Sequence, residues 1–349
     1  MKAVKNISLF IFLICLLNMN AQTWKDPKAP IDERVDDLLS QMTLEEKIGY
    51  CGSRIPGSER IGVPAFEWYG EALHGLKAWN CTQFPQNIAM GATWNPDLMF
   101  DVATAISNEA RALKNAGQKE VMMFSPTVNM ARDPRWGRNE ECYSEDPFLM
   151  SEIARMYVRG MQGNDPNYLK TVTTVKHFVA NNVEKRREFS HSLVRDVDLY
   201  EYYFPAYKTC IIDEEATGVM TGLNGVNGTP CSANNWLVND VLRKEWGFKG
   251  YVIADWAAIQ GLEKRMRFAK SQEEAAAMAV KAGIDQECFR HTSNPAPFVT
   301  ALKPAIEQGL LTEEELDVSV RRLLRLRFKT GDFDDPLLNP YSRIPKSVL

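Results

Sequence analysis

The sequence predicts an α/β fold in which a parallel sheet closes into a TIM-like (β/α)8 barrel. Apolar runs typical of strands alternate with amphipathic helical segments over about 300 residues, as expected for parallel strands covered by helices. No glycine-rich dinucleotide fingerprint or phosphate-binding loop follows any of these runs, which argues against an open nucleotide-binding sheet. In such a barrel the active site is expected at the C-terminal ends of the strands.

Composition narrows the classes of function. The chain has 349 residues, 45% hydrophobic and 25% charged, with a net charge of −4, which is ordinary for a globular protein. No basic stripe is present, so we expect no nucleic-acid partner. The four histidines lack the spacing of metal ligands, and we expect neither a metal nor a cofactor.

The N-terminus has the pattern of a signal peptide. Lys2 and Lys5 precede an apolar run over residues 7–17, and a plausible cleavage point follows Ala21. The run is too short to span a membrane. We therefore expect residues 1–21 to be removed and the remaining chain to be secreted or periplasmic, with no membrane attachment.

Helix starts are marked by capping residues and by proline at the first helical position. The predicted starts are Thr43 with Glu46, Asn95 with Pro96, Ser144, Ser271 with Glu274, and Thr312 with Glu315. Further helices are predicted over 198–212 and 235–246. One face of the helix after Asn95 carries Leu98, Val102, Ile106, Ala110 and Leu113, which predicts that this face is buried.

Strand-like runs lie between the helices, at 61–66, 121–129, 171–177, 217–224 and 251–254. These elements define a barrel domain over residues 22–332. The remaining segment, 333–349, is proline-rich and aperiodic, and it is predicted to be a linker-like tail.

Asp255 directly follows the apolar run at 251–254, and Trp256 follows Asp255. A carboxylate at a strand end can attack the anomeric carbon of a sugar, while an indole face packs on the apolar face of the ring. The alternative is an aspartate that only caps the next helix.

Three further segments place polar side chains at predicted strand ends. Lys176 and His177 end the run at 171–177, and Arg138 lies in the loop "ARDPRWGRNEECYSEDP". Glu71 lies in "FEWYGEALHG", three residues before His74 and on what we expect to be one helical turn. Each could hold sugar hydroxyls. For Lys176 and His177, the alternative is an ion pair at the barrel rim beside a buried histidine. For Arg138, it is a surface loop rich in ion pairs. For Glu71, it is an acidic residue at a helix start, favoured by the helix dipole.

Six segments in order resemble glycoside hydrolase family 3: "FEWYGEALHG", "FPQNIAMGATWNPDLM", "RDPRWGRNEECYSEDP", "VKHF", "VNGTPCSAN" and "WGFKGYVIADW". The resemblance covers roughly residues 35–345. It is nearest to the β-xylosidase branch, because Glu71 stands where glucosidase branches tend to carry aspartate.

The resemblance implies a TIM-like barrel that needs no metal and acts on oligosaccharides, most directly those derived from xylan. It implies that Asp255 is the nucleophile of a retaining mechanism. It also implies that Glu71, Arg138, Lys176 and His177 hold the sugar and that Trp256 borders the pocket.

Three departures from the family pattern affect these expectations. Leu223 stands where the family usually has a tyrosine that contacts the nucleophile, and "VKHFVANN" lacks the "KHFPGHG" of the N-acetylglucosaminidase branch. The family's C-terminal α/β sandwich domain, which supplies the acid/base glutamate in most branches, is not in this sequence.

None of Glu140, Glu141, Glu184 and Glu287 can be assigned the acid role from sequence. A separate chain carrying the sandwich domain is one source of it. The alternatives to a hydrolase are a carbohydrate-binding barrel with little or no turnover and an unrelated secreted barrel enzyme such as a metal hydrolase.

Overall fold

The computed structural model describes residues 22–118, 120–289 and 296–349, so the predicted signal peptide lies outside the described residues. Ten strands are assigned within these ranges: β1 Arg54–Ile55, β2 Phe66–Glu67, β3 Met122–Met123, β4 Val172–Phe178, β5 His191–Ser192, β6 Gly218–Thr221, β7 Gly225–Val226, β8 Thr229–Pro230, β9 Tyr251–Ala254 and β10 Gln286–Glu287.

Eleven α-helical segments are assigned in the same part of the chain: α1 Ile31–Ser40, α2 Leu44–Tyr50, α3 Asn87–Gly91, α4 Pro96–Asn115, α5 Pro147–Gln162, α6 Asp196–Asp198, α7 Pro205–Lys208, α8 Ala258–Lys264, α9 Gln272–Lys281, α10 Pro297–Glu307 and α11 Glu313–Thr330. Three stretches have π-helical geometry: Leu199–Tyr203, Thr209–Asp213 and Trp236–Glu245.

Five strands form one parallel sheet in the order β10-β9-β6-β4-β3. Every residue of β4, β6 and β9 is buried, as expected for strands covered on both faces, which read as continuous apolar runs rather than alternating ones. The helices cover the outer face. The α/β class and the curled, TIM-like sheet are therefore confirmed, although the described residues contain five parallel strands in this sheet instead of eight.

The two short antiparallel strands β1 and β2 lie between the edges of this sheet. On one side, the Phe124 amide after β3 donates to the Gly70 carbonyl at 2.9 Å. On the other, the Gln286 side chain of β10 donates to the Gly52 carbonyl at 2.9 Å, and Ser53 Oγ donates to the Glu287 carbonyl at 2.8 Å. These bonds link both sheet edges through the β1–β2 segment and bring the first part of the chain to the strand ends.

The predicted helix starts are largely confirmed. Thr43 and Thr312 form capping boxes with Glu46 and Glu315. The prediction at Ser144 is wrong by two residues: Asp146 caps α5, because its Oδ1 accepts from the Leu149 amide at 2.7 Å. A carboxylate three residues before an amide of the first turn is equally suited to capping.

Helix α4 packs against α5 through a close approach at Gly160. A Cβ at this position would lie 2.7 Å from the Phe100 carbonyl oxygen, so only glycine fits. The predicted inner face of α4 is confirmed for Val102, Ile106, Ala110 and Leu113 but wrong for Leu98, which is 44% exposed. Leu98 lies in the first turn, before the part of α4 that packs on α5.

The strand predicted at 61–66 is wrong over most of its length. Val63 makes only an isolated bridge to Ser58, and Gly62 adopts a positive φ of 74°. The strand proper, β2, begins at Phe66. A glycine in the left-handed region breaks an apolar run that would otherwise read as extended.

The segment predicted as a linker-like tail lies against the body of the barrel. The Tyr341 hydroxyl accepts from the amides of Asn164 and Asp165 at 2.9 and 3.0 Å. The Asn115 side chain donates to the Tyr341 carbonyl at 3.0 Å, and Asp334 pairs with Arg34 at 2.5 Å. Proline and asparagine place these residues in short 3-10 turns rather than in an extended chain.

In the described part of the chain, no helix is both long and apolar enough to cross a bilayer. The same residues contain no group of three or more His, Cys, Asp or Glu side chains arranged to hold a metal ion. All six of their cysteines are free thiols, and five are buried.

Candidate active site

The polar residues at the ends of β4 and β9 meet at the C-terminal edge of the sheet. Lys176 of β4 is level with Met220 of β6, which is level with Ile253 of β9. Asp255 therefore lies two residues beyond Lys176 along the same edge. The register shift in β4 between Lys176 and Phe178 is the kind of bulge that redirects side chains next to active sites.

Asp255 is 8% exposed and is held from one side only. Its Oδ1 accepts from the Trp256 amide at 2.7 Å. Its Oδ2 is buried and has no hydrogen-bond partner. A buried carboxylate oxygen without a donor is costly, and this atom is positioned to react with, or bind, a group that enters the site.

His177 is held rigidly beside Asp255 by Asn129 and Tyr207. The amide oxygen of Asn129 accepts from the His177 backbone at 3.0 Å and contacts His177 Nδ1 at 2.9 Å. The Asn129 amide nitrogen and the Tyr207 hydroxyl both donate to the His177 carbonyl, at 3.0 and 2.7 Å. These bonds fix both the main chain and the ring at the strand end.

The imidazole of His177 is neutral, because burial lowers its pKa well below 6.5 and the positive charges of Arg138, Lys176 and Arg187 lower it further. Since Asn129 Oδ1 accepts from Nδ1, the lone pair lies on Nε2. Nε2 lies 3.3 Å from Arg138 Nη2 and 3.9 Å from Asp255 Oδ2. His177 therefore presents an acceptor, not a charge, to the site.

Arg138 lies between the site and two glutamates. Its guanidinium donates to both Glu141 carboxylate oxygens at 2.7 Å and lies 3.5 Å from Glu184. Burial opposes its charge, but Glu141, Glu184 and Asp255 together raise the pKa of Arg138 above its ordinary value. The result is a cation whose charge interacts with the negative charge of Asp255.

Lys176 and Glu71 form a second charged pair, with Nζ and Oε2 2.5 Å apart. Lys176 is buried, while Glu71 is partly exposed. The helical turn expected from Glu71 to His74 is absent, and the segment is an irregular loop. His74 instead contacts the Phe84 carbonyl through Nδ1 at 2.8 Å, so the loop is held by its own polar contacts rather than by helical ones.

Trp256 is the exposed aromatic of the group, with 43% of its surface accessible. Its ring stacks on Phe289 at a centroid distance of 5.9 Å. The next residue, Ala257, has a positive φ of 51°, and its amide donates to the Cys288 carbonyl at 3.2 Å. The chain thus turns sharply after Asp255 and leaves the indole open to a ligand.

Leu223 lies in the loop after β6 and is 9% exposed. It lines a small cavity together with Gly222 and with Leu262 of α8, and Asp255 is not among the lining residues of this cavity. The isobutyl side chain of Leu223 has no hydroxyl to donate.

The sequence prediction does not include two residues that complete this cluster, Asn129 and Tyr207. It names Glu141 and Glu184 but does not predict their contacts with Arg138. The strand predicted at 121–129 is wrong over most of its length, because β3 ends at Met123 and only Thr127 makes a further, isolated bridge. Asn129 still ends that run of residues, and its place there is a usable signal. Tyr207 comes from a helix 30 residues after His177, and no local pattern marks it.

The fold and this edge define a class: an α/β barrel with an aromatic residue and a dense group of charged side chains at the C-terminal ends of its strands. Residues 38–326 match the model of the glycosyl hydrolase family 3 N terminal domain. The chain belongs to this family, which confirms the resemblance seen in the motifs.

Curated relatives agree with this assignment. The chain is 35% identical to beta-D-xylosidase 3 of Arabidopsis thaliana, with 91% of this chain and 43% of the relative aligned. It is 38% identical to exo-1,4-beta-xylosidase bxlB of Emericella nidulans, over 86% of this chain and 41% of the relative. It is 35% identical to a xylan 1,4-beta-xylosidase of Xylanibacter ruminicola, over 98% and 41%.

Solved structures give the same fold. A family 3 exo-beta-xylosidase, XlnD, in complex with a xylobiose aziridine probe superposes with a TM-score of 0.88 at 29% identity, covering 95% of this chain and 44% of that one. Beta-glucosidase 3B of Thermotoga neapolitana superposes with a TM-score of 0.72 at 30% identity, covering 86% and 43%. The chain spans less than half the length of these relatives.

Proposed function

We propose that this chain is the barrel of a retaining glycoside hydrolase that releases xylose from the ends of β-linked, xylan-derived oligosaccharides. The observation that carries the proposal is the buried, unpartnered Oδ2 of Asp255 at the strand edge. The names of the relatives, β-xylosidases of plants, fungi and bacteria, support the choice of sugar.

In this proposal Asp255 Oδ2 attacks the anomeric carbon and forms a glycosyl-enzyme ester as the bond to the leaving oxygen breaks. Water then attacks the same carbon and gives its proton to the acid/base carboxyl, the ester bond to Asp255 breaks, and the sugar leaves with the carboxylate restored. Two inversions at one carbon give a product with the configuration of the substrate. Oδ1 remains bonded to the Trp256 amide throughout, which keeps the reactive oxygen pointed at the ring.

The remaining residues bind the sugar. Lys176 and Arg138 donate to hydroxyl oxygens, while neutral His177 and Glu71 accept from hydroxyl groups. The exposed indole of Trp256 packs against the apolar face of a ring. The two cations also lower the cost of the negative charge on Asp255 until the ester forms.

The proton donor for the leaving group is a separate part of the proposal. Glu141 is unsuited to it: although burial raises its pKa, the bonds from Arg138 hold the pKa below its ordinary value, so the group is ionised. The family resemblance puts the acid/base glutamate on a sandwich domain. We therefore propose that the proton comes from that glutamate, on this or a separate polypeptide, rather than from Glu141.

Hydrolysis of 4-nitrophenyl β-D-xyloside, followed by proton NMR, tests the proposal, because nitrophenolate leaves without a proton. We expect β-xylose as the first product and its α-anomer only after mutarotation. We expect Asp255→Asn to give no burst of nitrophenol. Appearance of the α-anomer first, or equal rates for the parent and Asp255→Asn, would contradict the mechanism.

The glucoside with the same leaving group is the matched control for sugar preference. We expect a higher kcat/KM for the xyloside, and we expect Glu71→Asp to narrow the difference, because the shorter side chain leaves room for a hydroxymethyl group. Binding of xylobiose by calorimetry, with no product from either aryl glycoside, would instead favour the carbohydrate-binding barrel.

We also propose that residues 1–21 direct export and are then removed. The lysines, the apolar run and the cleavage point after Ala21 support this. Mass spectrometry of the protein recovered from an expressing culture is expected to give an N-terminus at Gln22. An intact Met1 on protein retained in the cytoplasm would contradict it.

A further inference from the structure

A cavity of about 400 Å³ lies at the opposite end of the sheet from Asp255. Thr217 and Gly250, the residues just before β6 and β9, form part of its wall, and the C-terminal half of α11 forms another part. The volume is within the range of small-molecule sites. No step of the proposed hydrolysis uses this end of the barrel.

Four cationic side chains line the cavity: Lys249, Arg322, Arg325 and Lys329. The two arginines have carboxylate partners: Arg322 pairs with Asp285 at 2.7 Å, and Arg325 pairs with Asp32. The two lysines differ from them, since neither amino group has an ion-pair or hydrogen-bond partner within the described ranges. Two cations of the cavity are therefore left for a ligand.

Glu215 is the one carboxylate among the described lining residues. The negative charge of Glu215 raises the pKa of Lys329, but the overall pKa of Lys329 is nevertheless below its ordinary value. Burial lowers the pKa of Lys329, and the positive charges of Arg325 and Lys249 lower it further. The cations repel one another, and an anion placed between them would relieve that repulsion.

Apolar side chains line the cavity beside the cations. Trp246, Phe248 and Leu326 are among them, and each is more than nine-tenths buried. Aromatic side chains favour the flat apolar face of a ring. A ligand that carries both a carboxylate and a ring with an apolar face therefore matches this mixed lining better than a small inorganic anion does.

We propose that this cavity is a second ligand site, which binds a small ring-bearing carboxylate such as a sugar acid. Lys249 and Lys329 hold the carboxylate, and Trp246 and Phe248 pack against the ring. The site is separate from the Asp255 cluster, and it neither contributes to nor requires hydrolysis.

Calorimetry with D-glucuronate and D-glucose tests this proposal, since the two differ mainly in the carboxylate. We expect glucuronate to bind the parent and the double variant Lys249→Met/Lys329→Met to bind it at least tenfold more weakly. The variant Lys249→Arg/Lys329→Arg keeps both charges and is expected to retain binding. Lys270→Met, which removes an exposed lysine that does not line the cavity, is the matched control and is expected to bind like the parent.

Hydrolysis of the aryl xyloside is expected to be unchanged in all three variants, which shows that each is folded. Undiminished glucuronate affinity in the double methionine variant would overturn the proposal. So would equal affinity for glucose, or affinity for inorganic phosphate equal to that for glucuronate, because a cation cluster alone would then explain the binding.

Discussion

Two aspartates lie next to neighbouring strands at opposite ends of the same sheet, and they differ in how their oxygens are satisfied. Asp285 precedes β10 and is fully buried. Its Oδ1 accepts from Arg322 at 2.7 Å, and its Oδ2 accepts from Arg243 at 3.0 Å and from the Val252 amide at 2.8 Å. Every oxygen of this carboxylate has a donor.

Asp255 follows β9 at the other end and is nearly as buried, but only its Oδ1 has a donor. Folding alone favours full pairing of a buried charge. The comparison teaches that burial alone does not distinguish a fully paired carboxylate, such as Asp285, from one with an open oxygen at the strand edge, such as Asp255. The two residues therefore respond differently to the same change.

The largest expected effect is on catalysis by Asp255→Asn. The amide is isosteric but not nucleophilic, so we expect kcat for 4-nitrophenyl β-D-xyloside to fall on the order of 10⁴-fold or more. Thermal unfolding should stay near that of the parent, because Oδ2 makes no bond that folding depends on. Steady-state kinetics and a melting curve on the same sample check both parts.

The same substitution at Asp285 is the matched control, with the opposite pattern. Asp285→Asn leaves the mostly buried side chains of Arg243 and Arg322, which are 10% and 21% exposed, without a counter-charge. Breaking a buried pair in this way costs about 3–5 kcal/mol of unfolding free energy. Urea unfolding measures the loss, and the folded fraction should keep its activity. A stable Asp285→Asn together with an unfolded Asp255→Asn would reverse the comparison.

Glu287 sharpens the comparison, because it is a third buried carboxylate and lies at the same end as Asp255. Its Oε1 accepts from the Ile259 and Gln260 amides of α8, and its Oε2 has no partner. Burial raises the pKa of Glu287 from 4.5 to about 7, and these amide bonds only partly offset the rise.

The folded protein thus binds this proton more tightly than the unfolded chain does. The contribution to stability is present below about pH 4.5 and is lost as the pH rises through about 7, a change of about 3 kcal/mol for a shift of this size. We expect Glu287→Gln to remove it. Urea unfolding of the parent and variant at pH 4.5 and 7.5 should give a stability difference that changes by about this amount, and parallel curves would refute it.

The smallest effect on the free energy of unfolding is expected for an exposed ion pair, which contains neither a fully paired buried carboxylate nor an open one. Lys244 and Asp240 lie 2.6 Å apart at i,i+4 spacing, with the lysine side chain 75% exposed. We expect Lys244→Ala to change the unfolding free energy by less than about 0.5 kcal/mol. A larger loss in urea unfolding would mean that distance, rather than burial, sets the value of charged contacts here.

Sequence patterns predict the parts of this molecule that local physics determines. The runs that became β4 and β9 are rich in β-branched residues and bounded by turn residues, so they were recognisable alone. The capping box at Thr312 fixes the start of α11 for the same reason. Asp255, Lys176 and His177 were predicted as a group because strand ends in a barrel share one edge.

The remaining features depend on residues far apart in the chain. Asn129 holds His177 across 48 residues, and Tyr207 reaches the same carbonyl from a later helix. Neither contact follows from local spacing, because each needs the register of β4 and the packing of a helix on it. The wrong strand at 61–66 has a local cause, the left-handed Gly62, which an apolar pattern conceals.

The most direct test of Asp255 as a nucleophile is the intact mass of the protein after incubation with a 2-fluoro-β-xyloside that carries an activated leaving group. The fluorine slows breakdown of the ester, and the leaving group needs no proton, so the barrel is tested alone. We predict a gain of one 2-fluoroxylosyl group, mapped to the peptide that contains Asp255. An adduct on another carboxylate, or none while the probe binds, would contradict the account.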